Sequence, residues 1–230
     1  MIKADSPNAE QNSEDAVYWQ IREAIGGHKL PPGTRLREDE MRKIFVVSRD
    51  RIRKVFARLA HDGLVTIEPN RGASVARPSP KEARELFAAR RGIEGAILAA
   101  LAPRFGAAER RQLAAHIAEE HTADAARDYP RMIALSGEFH LKLSRLADNA
   151  PLEKFLRELV MRESLVIQAY ERPGSPSCSA DEHQSILDAL VLKDTNAAMA
   201  LMFEHLSNIE ARLGLDRELR SAVTLSDVFS

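Results

Sequence analysis

Three histidines are placed to act together. His140 follows Ile133, Ser136 and Phe139 and precedes Leu143; His183 leads Ile186, Leu187 and Leu190; His205 shares a stripe with Ala198, Leu201, Met202 and Ile209. Each therefore lies on the apolar face of a different helical pattern. Neutral imidazoles converging from separate helices are good ligands for a divalent transition metal such as zinc or nickel. The same spacing also fits three unrelated core histidines, each with its own hydrogen-bond partner, and the sequence leaves both readings open. Arg90 falls on the stripe Leu86, Phe87, Ile93 and Ile97, so its charge faces an interior where it must be paired. Either Glu94, one turn on, satisfies it, or it grips the carboxylate of a small effector through two parallel hydrogen bonds. A metal-dependent hydrolase or lyase on the same histidines is the enzyme alternative. It fits less well, because Glu182 and Glu204 are each adjacent in sequence to a histidine and so turned to another helix face.

A second cluster is basic. Between Met41 and Arg58 stand seven cations, Arg42, Lys43, Arg49, Arg51, Arg53, Lys54 and Arg58, and one acid, Asp50. Ile52, Val55, Phe56 and Leu59 recur at i, i+3, i+4 and i+7, which turns Asp50, Arg53 and Lys54 outward and puts Arg51 on the flank. Ser48 is the predicted N-cap, so Ser48, Arg49, Asp50, Arg51 and Arg53 occupy the start of the helix. A helix of this kind fits the DNA major groove, where arginine donates twice to guanine, while the helix N-terminus suits phosphate. A solvated basic face on an ordinary small domain is the competing reading. Arg58 is expected at the core rim or paired with an acid, away from DNA.

The elements that must position these residues change character at Arg77-Pro78-Ser79-Pro80, where two prolines forbid continuous helix or ladder bonding. Before it, Val17, Ile21, Ala24 and Ile25 mark a first helix, which Gly26-Gly27 is expected to end through a left-handed conformation. Pro31-Pro32-Gly33 is a turn, Glu38 to Phe45 a short second helix, and Ser48 to about Asp62 the third. Gly63 stops that helix. Val65 to Ile67, the turn Pro69-Asn70-Arg71-Gly72 and Ala73 to Ala76 then form a β-hairpin. Its tip, Asn70, Arg71 and Gly72, would serve as a wing against DNA. After Pro80 six amphipathic helices are predicted, at about 80–102, 107–123, 127–147, 151–171, 180–192 and 195–213. The last fifteen residues form a weakly periodic tail.

The fold expectation is thus mostly α: a winged helix-turn-helix over 1–78, then an all-α antiparallel helical bundle over 79–230. Composition agrees, with 230 residues, 44% hydrophobic, 29% charged and few aromatics. Residues 1–78 hold 14 Lys and Arg against 11 Asp and Glu, while the remainder holds 19 against 23. The single cysteine, Cys178, forms no intrachain disulfide, the N-terminal segment lacks the apolar stretch of a signal peptide, and no apolar run is long enough to span a bilayer. A cytoplasmic address without membrane partners is the expectation.

The stretch PPGTRLREDEMRKIF-VVSRDRIRKVFARLAHDGLVTIEPNRGASV resembles the winged-helix domain of GntR-type regulators, with its PG-x-x-L-x-E, VSR-x-x-V-R and L-x-x-x-G-L pattern. Met41 replaces the usual Leu, Val46-Val47 the usual Gly-Val, and Phe56 a small residue or Leu; all three changes are expected to stay apolar at buried positions. By this resemblance Arg37, Arg49, Arg53 and Gly72 touch DNA. GEFHLKLSRLADNAPL, DEHQSILDAL and LMFEHL are similar to the FCD ligand-binding domain of the FadR-type branch, and the six-helix count to its VanR-like subgroup. The resemblance implies a homodimer on operator DNA, a transcription regulator and most often a repressor, tuned by a small organic acid. It also implies metal ligands at His140, His183 and His205, with an Asp four residues before the first. That position is Ser136 here, a weaker ligand, so metal held weakly, held through water, or replaced by an effector on the histidines are the options. Arg90, Ser136 and the three histidines form the expected effector site.

Overall fold

The computed structural model describes residues 13–171 and 180–215. Expectations for the N-terminal segment, for the interruption at 172–179 with Cys178, and for the C-terminal tail lie outside the described residues. The described residues divide into two compact units, the first holding 13–78 and 164–169 and the second 79–163, 170–171 and 180–215.

The first unit opens with α1 (Glu14–Gly26), where the Ser13 side chain accepts the Ala16 N–H and so satisfies one free amide of the first turn. Its buried face is Val17, Tyr18, Ile21, Ala24 and Ile25. The left-handed residue beyond it is not a glycine: Gly27 has φ −83° and His28 takes φ +61°. Gly27 is needed for a different reason, since a Cβ there would lie 2.9 Å from the Glu23 carbonyl oxygen. Next come β1 (Arg35–Leu36), α2 (Glu38–Phe45), α3 (Arg49–His61), β2 (Val65–Glu68) and β3 (Gly72–Val75). Ile52, Val55, Phe56 and Leu59 of α3 are buried, and α3 packs on α1 and α2. Each such side chain contributes roughly 1.5–3 kcal/mol by leaving water.

The sheet has three strands in the order β1-β3-β2, all antiparallel. In the hairpin Val65 faces Val75 and Glu68 faces Gly72. The added strand β1 pairs Arg35 with Ser74 and Leu36 with Ala73; two residues are too few to leave an alternation in sequence. One expectation about buried positions is corrected. Met41, Val47 and Phe56 are buried, but Val46 is 76% exposed and sits at φ +52° as the residue ending α2.

After Pro78 the chain forms α4 (Pro80–Leu101), a 3-10 turn, α5 (Ala107–Ala125), α6 (Tyr129–Leu146), α7 (Ala150–Tyr170), α8 (Ala180–Val191) and α9 (Thr195–Leu213). Ser79 and Glu82 form a reciprocal capping box that starts α4 beside Pro80. Asp128 and Asp194 cap α6 and α9, and Pro130 sits in the first turn of α6, where its missing N–H costs nothing. Helix α4 packs on α6 and α9, α5 on α6 and α8, and α8 on α9. None of the described helices is long and apolar enough to cross a membrane.

Candidate functional site

Two surfaces carry chemistry, one in each unit. In the first, the Ser48 hydroxyl accepts the Arg51 N–H at 3.3 Å and fixes the start of α3. With Ile52, Val55 and Leu59 held in the core, Ser48, Arg49, Asp50, Arg51 and Arg53 are all exposed. Acidic residues of α2 organise the guanidinium groups. Arg49 donates to Asp39 at 2.7 Å and lies 3.5 Å from Glu38, and Arg53 donates to Glu38 at 2.9 Å. Arg37, just before α2, pairs with Glu40 at 3.3 Å. Exposed pairs of this kind are worth ~0–1 kcal/mol each, so a phosphate or guanine can replace the acid at little cost.

The wing follows from backbone geometry. Asn70 at φ +63° and Gly72 at φ +82° turn the chain, and Arg71 is exposed and donates to Glu68 at 3.2 Å. A Cβ at Gly72 would meet nothing within 4 Å, so the left-handed conformation is what calls for glycine there. Arg58 pairs with Asp15 and lies over the Tyr18 ring, 3.9 Å from its centroid, on the core rim as its position implied.

In the second unit α6, α8 and α9 bring His140, His183 and His205 together, all buried. The Nε2 atom of His205 lies 3.3 Å from that of His183 and 3.3 Å from that of His140. Each Nδ1 faces away from the cluster onto a carboxylate: His140 onto Glu94 at 2.5 Å, His183 onto Glu120 at 2.8 Å, His205 onto Glu182 at 2.8 Å. An ionised carboxylate only accepts, so each neutral ring that faces one donates from Nδ1 and keeps Nε2 as its acceptor. Three acceptor nitrogens brought together in a buried space repel unless a proton or a metal cation lies between them. Both separations from His205 fit a metal cation, since zinc–nitrogen bonds of ~2.0–2.1 Å in tetrahedral arrangement put their nitrogens about 3.3–3.4 Å apart.

Glu94 Oε1 accepts from Arg90 Nε at 2.7 Å, and Glu163 of α7 accepts from Arg90 Nη1. Glu182 also accepts from Asn208 at 2.9 Å and Arg212 at 2.8 Å. The carboxyl groups Glu94, Glu120, Glu163 and Glu182 thus surround the histidines, with the guanidinium groups of Arg90 and Arg212 against three of them. Burial raises the Glu120 and Glu182 carboxyl groups, but hydrogen bonds from His116 and His183 to the first, and from His205 and Asn208 to the second, outweigh it and bring both to about 2. Burial pushes Glu94 and Glu163 up, against the pull of Arg90, and holds His140 well below the ordinary histidine range.

Of the two sequence alternatives for Arg90, the structure shows the internal pair: the side chain is fully buried between Glu94 and Glu163. Ser136 stands one turn before His140 on α6 and is half-buried. Sequence reasoning missed Glu120, Glu163 and His116, and it set Glu182 aside. Glu182 does turn away from its neighbour His183, but it reaches His205 on the next helix. Glu120 left a legible signal, a carboxylate in register with Leu113, His116 and Ile117 on the buried stripe of α5.

A winged helix-turn-helix with an exposed basic recognition helix, followed by an all-helical unit with a buried polar centre, defines a DNA-binding regulator of transcription. Residues 13–75 match the bacterial regulatory proteins of the gntR family and residues 85–208 match the FCD domain, and the chain belongs to the GntR family with an FCD domain. It is 27% identical over 203 residues to the HTH-type transcriptional repressor RspR of Escherichia coli K12, covering 88% of this chain and 89% of that one. A GntR transcriptional regulator from Rhodococcus sp. RHA1 superposes with a TM-score of 0.77 at 27% identity, over 87% of this chain and 96% of that one. The E. coli protein McbR/YncC shares the fold, with a TM-score of 0.76 at 17% identity over 87% and 96% of the two chains. The hydrolase or lyase alternative gains no support: the relatives are regulators, and among the described residues no Asp or Glu joins the three imidazoles as a further member of the cluster.

Proposed function

We propose that this regulator is a homodimeric repressor whose operator affinity is set by a small organic acid bound at a divalent metal, zinc or nickel, on His140, His183 and His205. The convergence of three imidazoles, with His205 Nε2 3.3 Å from each of the other two and every ring held from behind by a carboxylate, carries the reading. When bound, the metal supplies a Lewis-acidic position that an effector carboxylate can share. Ser136, half-buried one turn before His140, would be a weaker ligand than the acid that the family resemblance places there, so an effector carboxylate would have less competition at the metal. Repression follows the name of the E. coli relative.

Each protomer then supplies one α3 to half of a pseudo-palindromic site, with the half-site spacing set by dimer geometry. Arg49 and Arg53 read bases, while Arg37, Ser48, Arg51 and Arg71 hold phosphates, and Asn70 and Gly72 shape the wing that carries Arg71. A coupling of ~1–3 kcal/mol between the two sites changes operator affinity about 5- to 150-fold. The test is fluorescence anisotropy of the full chain on DNA fragments flanking its own gene, over a salt series, with zinc or nickel and a panel of small carboxylates. Binding that weakens steeply with salt and shifts at least fivefold with metal plus one carboxylate is expected. No binding at low salt to any fragment refutes the operator assignment, and binding indifferent to metal and every carboxylate refutes the effector assignment.

A further inference from the structure

The carboxylates behind the histidines come from three different helices, and none is the carboxylate that a family resemblance places at position 136. We propose that Glu94, Glu120 and Glu182 are positioning residues that hold His140, His183 and His205 as Nδ1–H tautomers, and that they balance a bound divalent cation from behind its ligands. This rests on the metal reading above for its second half only; the tautomer assignment stands on hydrogen bonding alone.

The geometry is specific. Glu120 spans its histidine with both oxygens, 2.8 Å and 3.0 Å from His183 Nδ1, and the Phe139 ring stacks on that imidazole at 3.9 Å. His116 stands behind Glu120, with its Nε2 2.9 Å from the Leu135 carbonyl oxygen and 3.5 Å from Glu120. Glu94 is held in turn by Arg90, which Glu163 holds from α7, so Arg90 acts on the cluster through Glu94 and is itself a positioning residue. Glu182 is fixed from the rim by Asn208 and Arg212 on the helix that carries its histidine. An ionised carboxylate accepts only, which gives each neutral ring a single tautomer, with Nε2 as the acceptor on the side of the cluster. Glutamine in the same place can donate or accept, so it keeps the volume while removing both the charge and the tautomer constraint.

The test uses the full chain stripped of metal with a chelator, and the variants Glu120→Gln, Glu182→Gln and Glu94→Gln, with His140→Ala as the ligand-loss reference. Histidine-ring 15N–1H correlation spectra report the tautomers, and Zn(II) competition against a chromophoric chelator reports affinity. Glu182 lies at the rim, with its side chain 21% exposed, so Glu182→Gln keeps the experiment decisive if the buried variants fail to fold. Expected are three Nδ1–H rings in the wild type, loss of that single tautomer at the histidine behind each substitution, and Zn(II) binding about 10- to 100-fold weaker per variant. Nε2–H rings in the wild type, or Zn(II) affinity within twofold of wild type in Glu182→Gln, overturn the proposal. If the wild type binds neither Zn(II), Ni(II) nor Co(II), the metal reading fails and the ring spectra alone decide whether the carboxylates position the histidines.

Discussion

Replacing Val46 with glycine should stabilise the winged-helix unit. Val46 ends α2 at φ +52°, ψ +49°, a left-handed conformation in which a β-branched side chain crowds its own backbone. The penalty for an L-residue there is ~1–2 kcal/mol relative to the right-handed region. With 76% of the residue in solvent, Val46→Gly forfeits little burial. Glycine's greater freedom in the unfolded chain returns ~0.4–1 kcal/mol, leaving a net gain of about 1 kcal/mol. For a domain of this size such a gain raises the melting temperature by ~4–8 °C. The assay is thermal unfolding followed by tryptophan fluorescence, since the only tryptophan, Trp19, lies on α1 of this unit against Tyr18 and Arg22 and reports it separately from the helical unit. Val46→Ala, which removes both γ-methyl groups but keeps the Cβ, should gain less. An unchanged or lowered transition in Val46→Gly would show that the turn carries no such strain.

Arg49→Ala should weaken operator binding by ~1–3 kcal/mol if the guanidinium reads guanine, with loss of discrimination at one base pair; a uniform loss across sequences and a smaller salt slope would reassign it to phosphate. Arg90→Met leaves Glu94 and Glu163 buried without their cation and should cost ~3–5 kcal/mol, read from the helix signal on urea unfolding. A loss below about 1 kcal/mol would mean that the two carboxyl groups do not depend on Arg90. His28 titrates below the ordinary histidine range because burial disfavours its charged form. Its folded value is therefore the lower one, so its contribution to stability is full above the ordinary range and is lost as pH falls towards the folded value. Unfolding of His28→Asn, which tolerates the φ of +61°, should depend less on pH between 8 and 5 than that of the wild type, and parallel curves would rule the assignment out.

Local rules made much of this molecule legible before any coordinates. The Ser48 cap, the apolar repeat from Ile52 to Leu59 and the turn at Asn70 to Gly72 depend on residues a few positions apart, and so does the burial of Arg90 and the three histidines on helical stripes. Periodicity says which face of a helix is buried, but not what it meets. The carboxylate behind each imidazole belongs to another helix, 46 positions away for His140 and Glu94, 63 for His183 and Glu120 and 23 for His205 and Glu182. No spacing rule reaches across such separations. Glu163, 73 positions from Arg90, is invisible to the one-turn logic that found Glu94. The two-residue β1, the exposure of Val46 and the left-handed His28 were likewise decided by packing, because a strand needs its partner and a turn takes whichever residue the surrounding elements force into it. Sequence chose the groups that can do chemistry; the tertiary arrangement chose their partners, and with them the direction in which each imidazole presents its lone pair.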